Sequence, residues 1–415
     1  MAREQYVVGI DVGSSAIRVV VAQAAGPDSE DGQPTILGAA QEPADGIQKG
    51  VITDVDGAVK SLTRALDRAE RIAGVPIEHA YVSINGSHIM SQNSRGVIAV
   101  SRADGEITND DVARVINAAQ AISLPSNREI LHVLPQDFVV DGQKNIHDPV
   151  GMTAVRLEVE THIIEGSAPF IKNLTKVVNQ AGVHVEDFVF SPLAAAQATL
   201  DKRQRELGVV LVDLGAGTTS LVAYEENYLL HTAVLPLGAS HITNDIAIGL
   251  RIAIDVAETV KQQHGTALPA EVKASEAILV EGDEQESISR HEVANIISDR
   301  LDEILSFVDK ELKAISRSGL LPAGVIFTGG GAHLPGVIEV AKKHLRLPAR
   351  IGKPVPLHGI TDQIDDPAYV VAVGLVLWAL EQEKKAIGTG RGTIALPNVG
   401  DTVTKIRGWF KTFMP

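Results

Sequence analysis

Ile10-Asp11-Val12-Gly13-Ser14-Ser15 and Val212-Asp213-Leu214-Gly215-Ala216-Gly217 are the two stretches on which the reading of this sequence turns. In each, an apolar strand ends in an Asp-x-Gly turn and a second apolar strand follows. The first pair is Tyr6–Val12 with 17–22, the second Val209–Leu214 with 220–224. A lone Asp-x-Gly is a common turn. Two copies half a chain apart mark a duplication and predict an α/β fold of two related halves facing each other. Glycines and small residues let backbone N–H groups approach phosphate oxygens. Ser14, Ser15, Thr218 and Thr219 add hydroxyl donors, and Arg18 can reach back over the first hairpin. A carboxylate in each turn suits Mg²⁺ held through its waters, which makes Asp11 and Asp213 candidate metal residues.

A third element works with these two. Ile326-Phe327-Thr328-Gly329-Gly330-Gly331-Ala332 is a buried strand emptying into three glycines. Read alone it is either a tight strand-to-helix turn or bare backbone against which a flat ring can lie. Glu258 and Lys261, three apart on a helix, read alone as a solvated surface pair.

Composition supports this class. The chain has 415 residues, 45% hydrophobic and 21% charged, with aromatics at only 4%, so its cores are aliphatic, as covered parallel sheets require. A net charge of −15 disfavours nucleic acid as a partner. The absence of cysteine excludes disulfides, thiolate metal sites and Cys nucleophiles. The 13 histidines show no metal-ligand spacing, and Gly388-Thr389-Gly390-Arg391-Gly392 lacks the Lys-Ser/Thr ending of a phosphate-binding loop. The longest apolar stretch, 369–380, is shorter than the about 20 residues a membrane-spanning helix needs.

Between the landmarks, apolar periodicity predicts helices at 54–73, 109–122, 169–181, 242–249, Ile254–His264, 290–317, 334–345 and 367–382. Thr108 is placed to cap the second of these. Short strands at 96–100, 131–140 and 155–161 around helix 109–122 read as a small α+β subdomain inserted in the first half. Residues 269–286 read as a polar stretch, with a solvated acidic loop at 281–286, and 383–400 as a charged, glycine-containing linker.

The last residues break that texture. At about 100° per residue, Val403, Ile406, Trp409, Phe410, Phe413 and Met414 form one apolar stripe, with Lys405, Arg407 and Lys411 beside it. This is the pattern of an interfacial helix that meets anionic lipid, or of a helix that docks on protein.

Two Asp-Gly turns with a late triple-glycine loop resemble the actin-like ATPase superfamily. Within it, the opening Gly9-Ile10-Asp11-Val12-Gly13-Ser14-Ser15-Ala16-Ile17-Arg18 resembles the FtsA family of bacterial division proteins. So do Ile130-Leu131-His132-Val133-Leu134-Pro135-Gln136, Asp148-Pro149-Val150-Gly151-Met152 and the amphipathic terminus. The resemblance implies a two-domain actin-like fold with duplicated βββαβα halves around a nucleotide cleft. It implies ATP and Mg²⁺ as ligands, with phosphate sites at Asp11, Gly13, Ser14, Ser15, Arg18 and at Asp213, Gly215, Ala216, Gly217, Thr218, Thr219. Gly329, Gly330 and Gly331 would lie against adenosine, and Glu258 and Lys261 against purine and ribose. The implied division is a first domain over 1–84 and 162–207 carrying an inserted module over 85–161. A second domain follows over 208–236 and 301–382, with an upper subdomain at 237–300 that takes the FtsZ C-terminal peptide. A linker (383–400) and a membrane-targeting helix (401–415) complete it, the helix using Val403, Lys405, Ile406, Arg407, Trp409, Phe410, Lys411 and Phe413. The same resemblance implies polymerisation, recruitment of later division proteins, and a place on the cytoplasmic face of the cell membrane at the division site. Superfamily members that hydrolyse well carry a Glu or Gln where this chain has Ser191, so slow turnover is expected. PilM-like pilus proteins and sugar kinases share the cleft, but need no aromatic tail.

Overall fold

In the computed structural model, residues 6–25, 32–122, 124–280 and 286–388 are described. The tail residues named above lie outside them.

The first half opens with β1 (Tyr6–Val12), β2 (Ala16–Gln23) and β3 (Thr35–Pro43), an antiparallel meander. A small hairpin, β4 (Ile47–Gln48) and β5 (Val51–Ile52), turns on Lys49 and Gly50, both at positive φ. Helix α1 (Val55–Ala73) starts on Asp54, whose carboxylate accepts from Asp56 N, and stops at Gly74 in the left-handed region. It buries Ala58, Leu62, Ala65, Leu66 and Ala69 on the sheet, and β6 (His79–Ile84) returns parallel to β1.

The chain then leaves for the inserted unit: β7 (Met90–Ala99), α2 (Asn109–Gln120), β8 (Arg128–Val140), β9 (Gln143–Ile146) and β10 (Arg156–Ser167). Thr108 and Asp111 cap α2 reciprocally, and the sheet runs β7-β10-β8-β9. Its own core holds Ile107, Val115, Ile116, Phe138, Leu157 and Val159. Helix α3 (Ala168–Gln180), β11 (His184–Phe190), α4 (Ser191–Thr199) and α5 (Lys202–Leu207) complete the first half.

The second half repeats the plan with β12 (Val209–Leu214), β13 (Thr219–Glu225) and β14 (Tyr228–Leu235). Next come α6 (Ala239–Leu250), α7 (Ile254–His264), the hairpin β15 (Ala277–Val280) and β16 (Glu286–Ser289), and α8 (Arg290–Ala314). It ends with β17 (Gly324–Thr328), α9 (Val337–Leu345) and β18 (Ala349–Ile351). Strand order shows the duplication: β3-β2-β1-β6-β11 in one sheet, β14-β13-β12-β17-β18 in the other. At the heart of the halves Phe190 and Phe327 are fully buried, where truncation to Ala costs about 3–5 kcal/mol each.

After β18 the chain crosses back. β19 (His358–Gly359) joins β3 at the edge of the first sheet, and α10 (Val370–Gly388) packs on α4, β1 and β2. Gly374 of α10 lies so close to the Ala194 carbonyl that no side chain fits there. The inserted unit touches the second half as well. Ser91 Oγ donates to the Thr232 carbonyl (3.0 Å), Gln136 Nε2 donates to the Leu229 carbonyl (2.6 Å), and His162 Nε2 pairs with Thr232 Oγ1 at 2.9 Å. Burial, with the neighbouring His231, pushes the His162 imidazole down to about 3, so it sits there neutral.

Two connections carry more regular structure than their composition suggests. The polar stretch 269–286 contains β15, whose Ile278 is buried opposite Ile288 of β16. The linker does not begin at residue 383: α10 continues to Gly388, because Glu383, Lys384, Lys385 and Ala386 are strong helix formers.

Candidate functional site: a cleft between two matching turns

The two Asp-x-Gly turns are built by one backbone device. Gly13 N donates to the Ala16 carbonyl at 3.2 Å, and Gly215 N donates to the Thr218 carbonyl at 3.0 Å. In both, a Cβ on the glycine would fall 2.7 or 2.9 Å from that same carbonyl oxygen. Glycine is therefore demanded by the hairpin itself, before any ligand is considered. The turns meet: a Cβ on Gly217 would lie 2.9 Å from Ser14 Oγ and from the Lys49 backbone, while Ser14 Oγ accepts from Gly50 N at 3.0 Å.

Between them opens a cleft of about 770 Å³. Asp11, Gly13, Ser14, Ser15 and Arg18 line one side, and Asp213, Gly215, Ala216, Gly217 and Thr218 the other. Glu258, Lys261, Gly329, Gly330 and Gly331 close the far end. Of the residues expected here, Thr219 alone is not at the surface of the cleft. It is fully buried, and its hydroxyl donates to the Leu237 carbonyl at 2.8 Å, because alternation along β13 turns it away from the turn's open side. Thr219 is removed as a hydroxyl donor to the cleft.

The aspartates face unequal surroundings. Ser83 Oγ donates to Asp11 Oδ1 at 2.8 Å, and Arg18 NH1 lies 3.9 Å from Asp11 Oδ2. Burial raises the Asp11 carboxyl, with Arg18 and then Ser83 opposing. Arg18 is held in turn by Gln41 Oε1 (2.9 Å from Nε) and by the Tyr369 ring, 5.7 Å from its guanidinium carbon. Among the described residues, the Asp213 side chain has one hydrogen-bond partner, Thr328 Oγ1, at a long 3.4 Å. Burial first, then the Asp11 charge, pushes its carboxyl up to about 7 against Arg18 and Thr328. Two buried, hard-oxygen carboxylates with one cation between them leave a site short of positive charge.

At the other end, Lys261 Nζ bonds Glu258 Oε2 (2.6 Å), Thr243 Oγ1 (2.7 Å) and the Ala239 carbonyl (3.3 Å). The pair is part of the cleft wall and not a free surface contact. Burial would raise the Glu258 carboxyl, but the bonds from Lys261 and Thr243 outweigh it and hold it below its ordinary value. In the triple-glycine loop, a side chain at Gly329 would strike Asp213 Oδ1 and one at Gly331 would strike Leu214. Gly330 has nothing within 4 Å on its open side, so bare backbone faces the cleft there.

Ser191 lines the cleft at the first turn of α4, with its hydroxyl on the Ile84 carbonyl at 3.4 Å. Several lining residues carry no motif: Gln41, Gly50, Asn85, Ser240 and His333. Lys49-Gly50 and Asn85-Gly86 are legible as turn dipeptides, but nothing local says that they face a cleft. Among the described residues no cluster of His, Asp and Glu forms a separate metal site, and no helix is long and apolar enough to cross a membrane.

Solved structures share this architecture at low identity. A PilM–PilN type IV pilus biogenesis complex gives a TM-score of 0.67 at 15% identity, covering 91% of this chain and 99% of that one. MreB5 of Spiroplasma citri bound to AMPPNP gives 0.56 at 14%, covering 94% and 100%. These matches establish an actin-like fold. Sequence comparison reaches further. The family model "SHS2 domain inserted in FTSA" matches residues 86–165, and "Cell division protein FtsA" matches 210–374. Cell division protein FtsA of Borreliella burgdorferi is 38% identical over 413 residues, 97% of this chain and 98% of its own. That of Pseudomonas aeruginosa is 36% identical over 382 residues, 91% and 90%. With a duplicated cleft fold, an inserted module and such relatives along its length, the chain belongs to the FtsA family of cell division proteins.

Proposed function

We propose that this chain binds ATP with Mg²⁺ in the cleft, polymerises, and fastens FtsZ filaments to the cytoplasmic face of the cell membrane at the division site. The observation that carries the nucleotide part is the convergence of both Asp turns and the triple-glycine loop on one cleft of about 770 Å³. Phosphates sit between the Asp11–Arg18 and Asp213–Thr218 turns, where Gly217 and Ser14 come together. The base and ribose lie at Gly329, Gly330 and Gly331, beside Glu258 and Lys261. Mg²⁺, held by Asp11 and Asp213 through water, supplies the positive charge that Asp213 lacks. The solved MreB5 with bound AMPPNP lends support through a shared fold. Ser191 offers no carboxylate or amide to orient water, so turnover is slow; brisk phosphate release by the purified protein would sink that part.

The FtsZ C-terminal peptide docks on residues 237–300, later division proteins on the inserted unit, and residues 401–415 enter an anionic membrane surface. The amphipathic pattern of that terminus and its Lys405, Arg407 and Lys411 support the last assignment. Co-sedimentation with anionic vesicles in the presence of ATP tests it, with the full chain set against a Trp409→Glu, Phe413→Glu variant. The intact chain is expected in the lipid pellet and the variant in the supernatant. Both proteins remaining in solution would make the tail a docking helix instead.

A further inference from the structure

The end of β6 carries more than a link to the inserted unit. Ser83 lies at its C-terminal end and Asn85 is the first residue beyond it. Ser83 Oγ donates to Asp11 in the first half and accepts from Val12 N at 2.9 Å. Asn85 Nδ2 crosses to the second half and donates to Ser220 Oγ at 2.7 Å. Ser220 is fully buried and is the direct cross-strand neighbour of Asp213. One strand end thus holds both carboxylate turns, one through each side chain.

The duplicated partner makes the point sharper. In the second half Thr328 takes the place of Ser83, bonding Asp213 as Ser83 bonds Asp11. The residue equivalent to Asn85 is then Gly330, the open glycine of the adenosine end. The first half has filled that position with an amide long enough to reach Ser220 in the opposite half. The amide is itself fixed, because Asn85 Oδ1 accepts from Gly86 N at 2.9 Å.

We propose that Asn85 is a positioning residue whose bond to Ser220 braces the Asp213 turn against the Asp11 turn and so sets how tightly a nucleotide triphosphate is held. The proposal rests on the nucleotide reading above. A triphosphate must touch both turns at once, so its affinity depends on their separation being fixed in advance. Adenosine, confined to the second half, does not depend on the brace.

The test measures a fluorescent ATP analogue with Mg²⁺ on the full chain, on Asn85→Ala, on Ser220→Ala and on the double variant, with adenosine as competitor. Each single variant is expected to weaken the analogue about fivefold, the worth of one net hydrogen bond, and the double variant no further, since both remove the same bond. Adenosine is expected to compete equally on all four. Single effects under twofold, effects that multiply in the double variant, or a parallel loss of adenosine would overturn the brace while leaving the nucleotide reading intact. An unaltered chain that binds no analogue would remove the nucleotide reading itself. Should Asn85→Ala fail to fold, Asn85→Thr, too short to reach Ser220, takes its place.

Discussion

Asp11 and Asp213 occupy hairpins of the same length with the same glycine bond, yet Asp11 lies opposite Arg18 across its hairpin and Asp213 opposite Ser220. The backbone of the turn was copied, and the neutralising charge was not. Arg18 lies 3.9 Å from Asp11, with Gln41 and Tyr369 steadying it, while among the described residues Asp213 keeps a single long hydroxyl contact. The first half therefore brings its own cation, and the second leaves its carboxyl buried and raised without one beside it. A duplicated fold repeats what backbone geometry demands and lets the side chains around it diverge by function.

The largest expected effect comes from the uncompensated side. Asp213→Asn should lower Mg²⁺-dependent ATP affinity about a hundredfold or more, the scale of losing one member of a buried charge pair. Titration of the analogue with and without Mg²⁺ reads it, and an unchanged affinity would mean that Asp213 holds no cation.

Next is pH. The raised Asp213 carboxyl makes the nucleotide-free folded state hold a proton that the unfolded chain has released between about pH 4 and 7. Folded-state stability should therefore fall as pH rises through that window, an effect of Asp213 that Asp213→Asn removes. Asp11, raised in the same direction, adds to the trend, and Arg18 opposes both. Mg²⁺-ATP, which needs the ionised carboxylate, should bind up to about tenfold tighter per pH unit until near 7 and then level off. Melting curves and binding isotherms across the range check both slopes.

The copied backbone makes a matched pair. Gly13→Ala and Gly215→Ala each force a Cβ onto the hairpin carbonyl and should cost about 1–3 kcal/mol, similar in the two halves. Denaturant midpoints that differ widely between them would show that the turns are not equivalent. The smallest expected change is Gln41→Ala, which removes the acceptor of Arg18 Nε and should weaken ATP binding only about two- to fivefold. A loss as large as that of Asp213→Asn would mean that Arg18, not a bound cation, dominates the site.

Much of this comparison was legible in the chain. The paired Asp-x-Gly turns and the glycine loop are local signals, because strand, turn and strand are contiguous there. Thr219 was misplaced for an equally local reason: a hydroxyl beside a turn looks available until β-strand alternation points it at Leu237. The strand Thr35-Ile36-Leu37-Gly38-Ala39-Ala40-Gln41-Glu42-Pro43 escaped because its small and polar residues have weak strand propensity, and pairing with β2 creates it. Ser83 and Asn85 were beyond reach altogether. Their partners lie 72 and 135 residues away, and no spacing rule connects a strand end to a hairpin in the opposite half.

Helix α10 enters the cleft wall at one end, through Val371 and, in the turn just before it, Ala368, and ends at Gly388. Its 19 residues make a rod about 28 Å long, wedged by Gly374 against α4 and laid along β1. Any tension applied to the chain beyond Gly388 is therefore delivered to the first half as a shear along close-packed backbone, where resistance is stiff. The second half shares that load directly, because α4 also packs on β12 and β13, and Leu211, Val222 and Tyr224 belong to the same apolar core as α4 and α10.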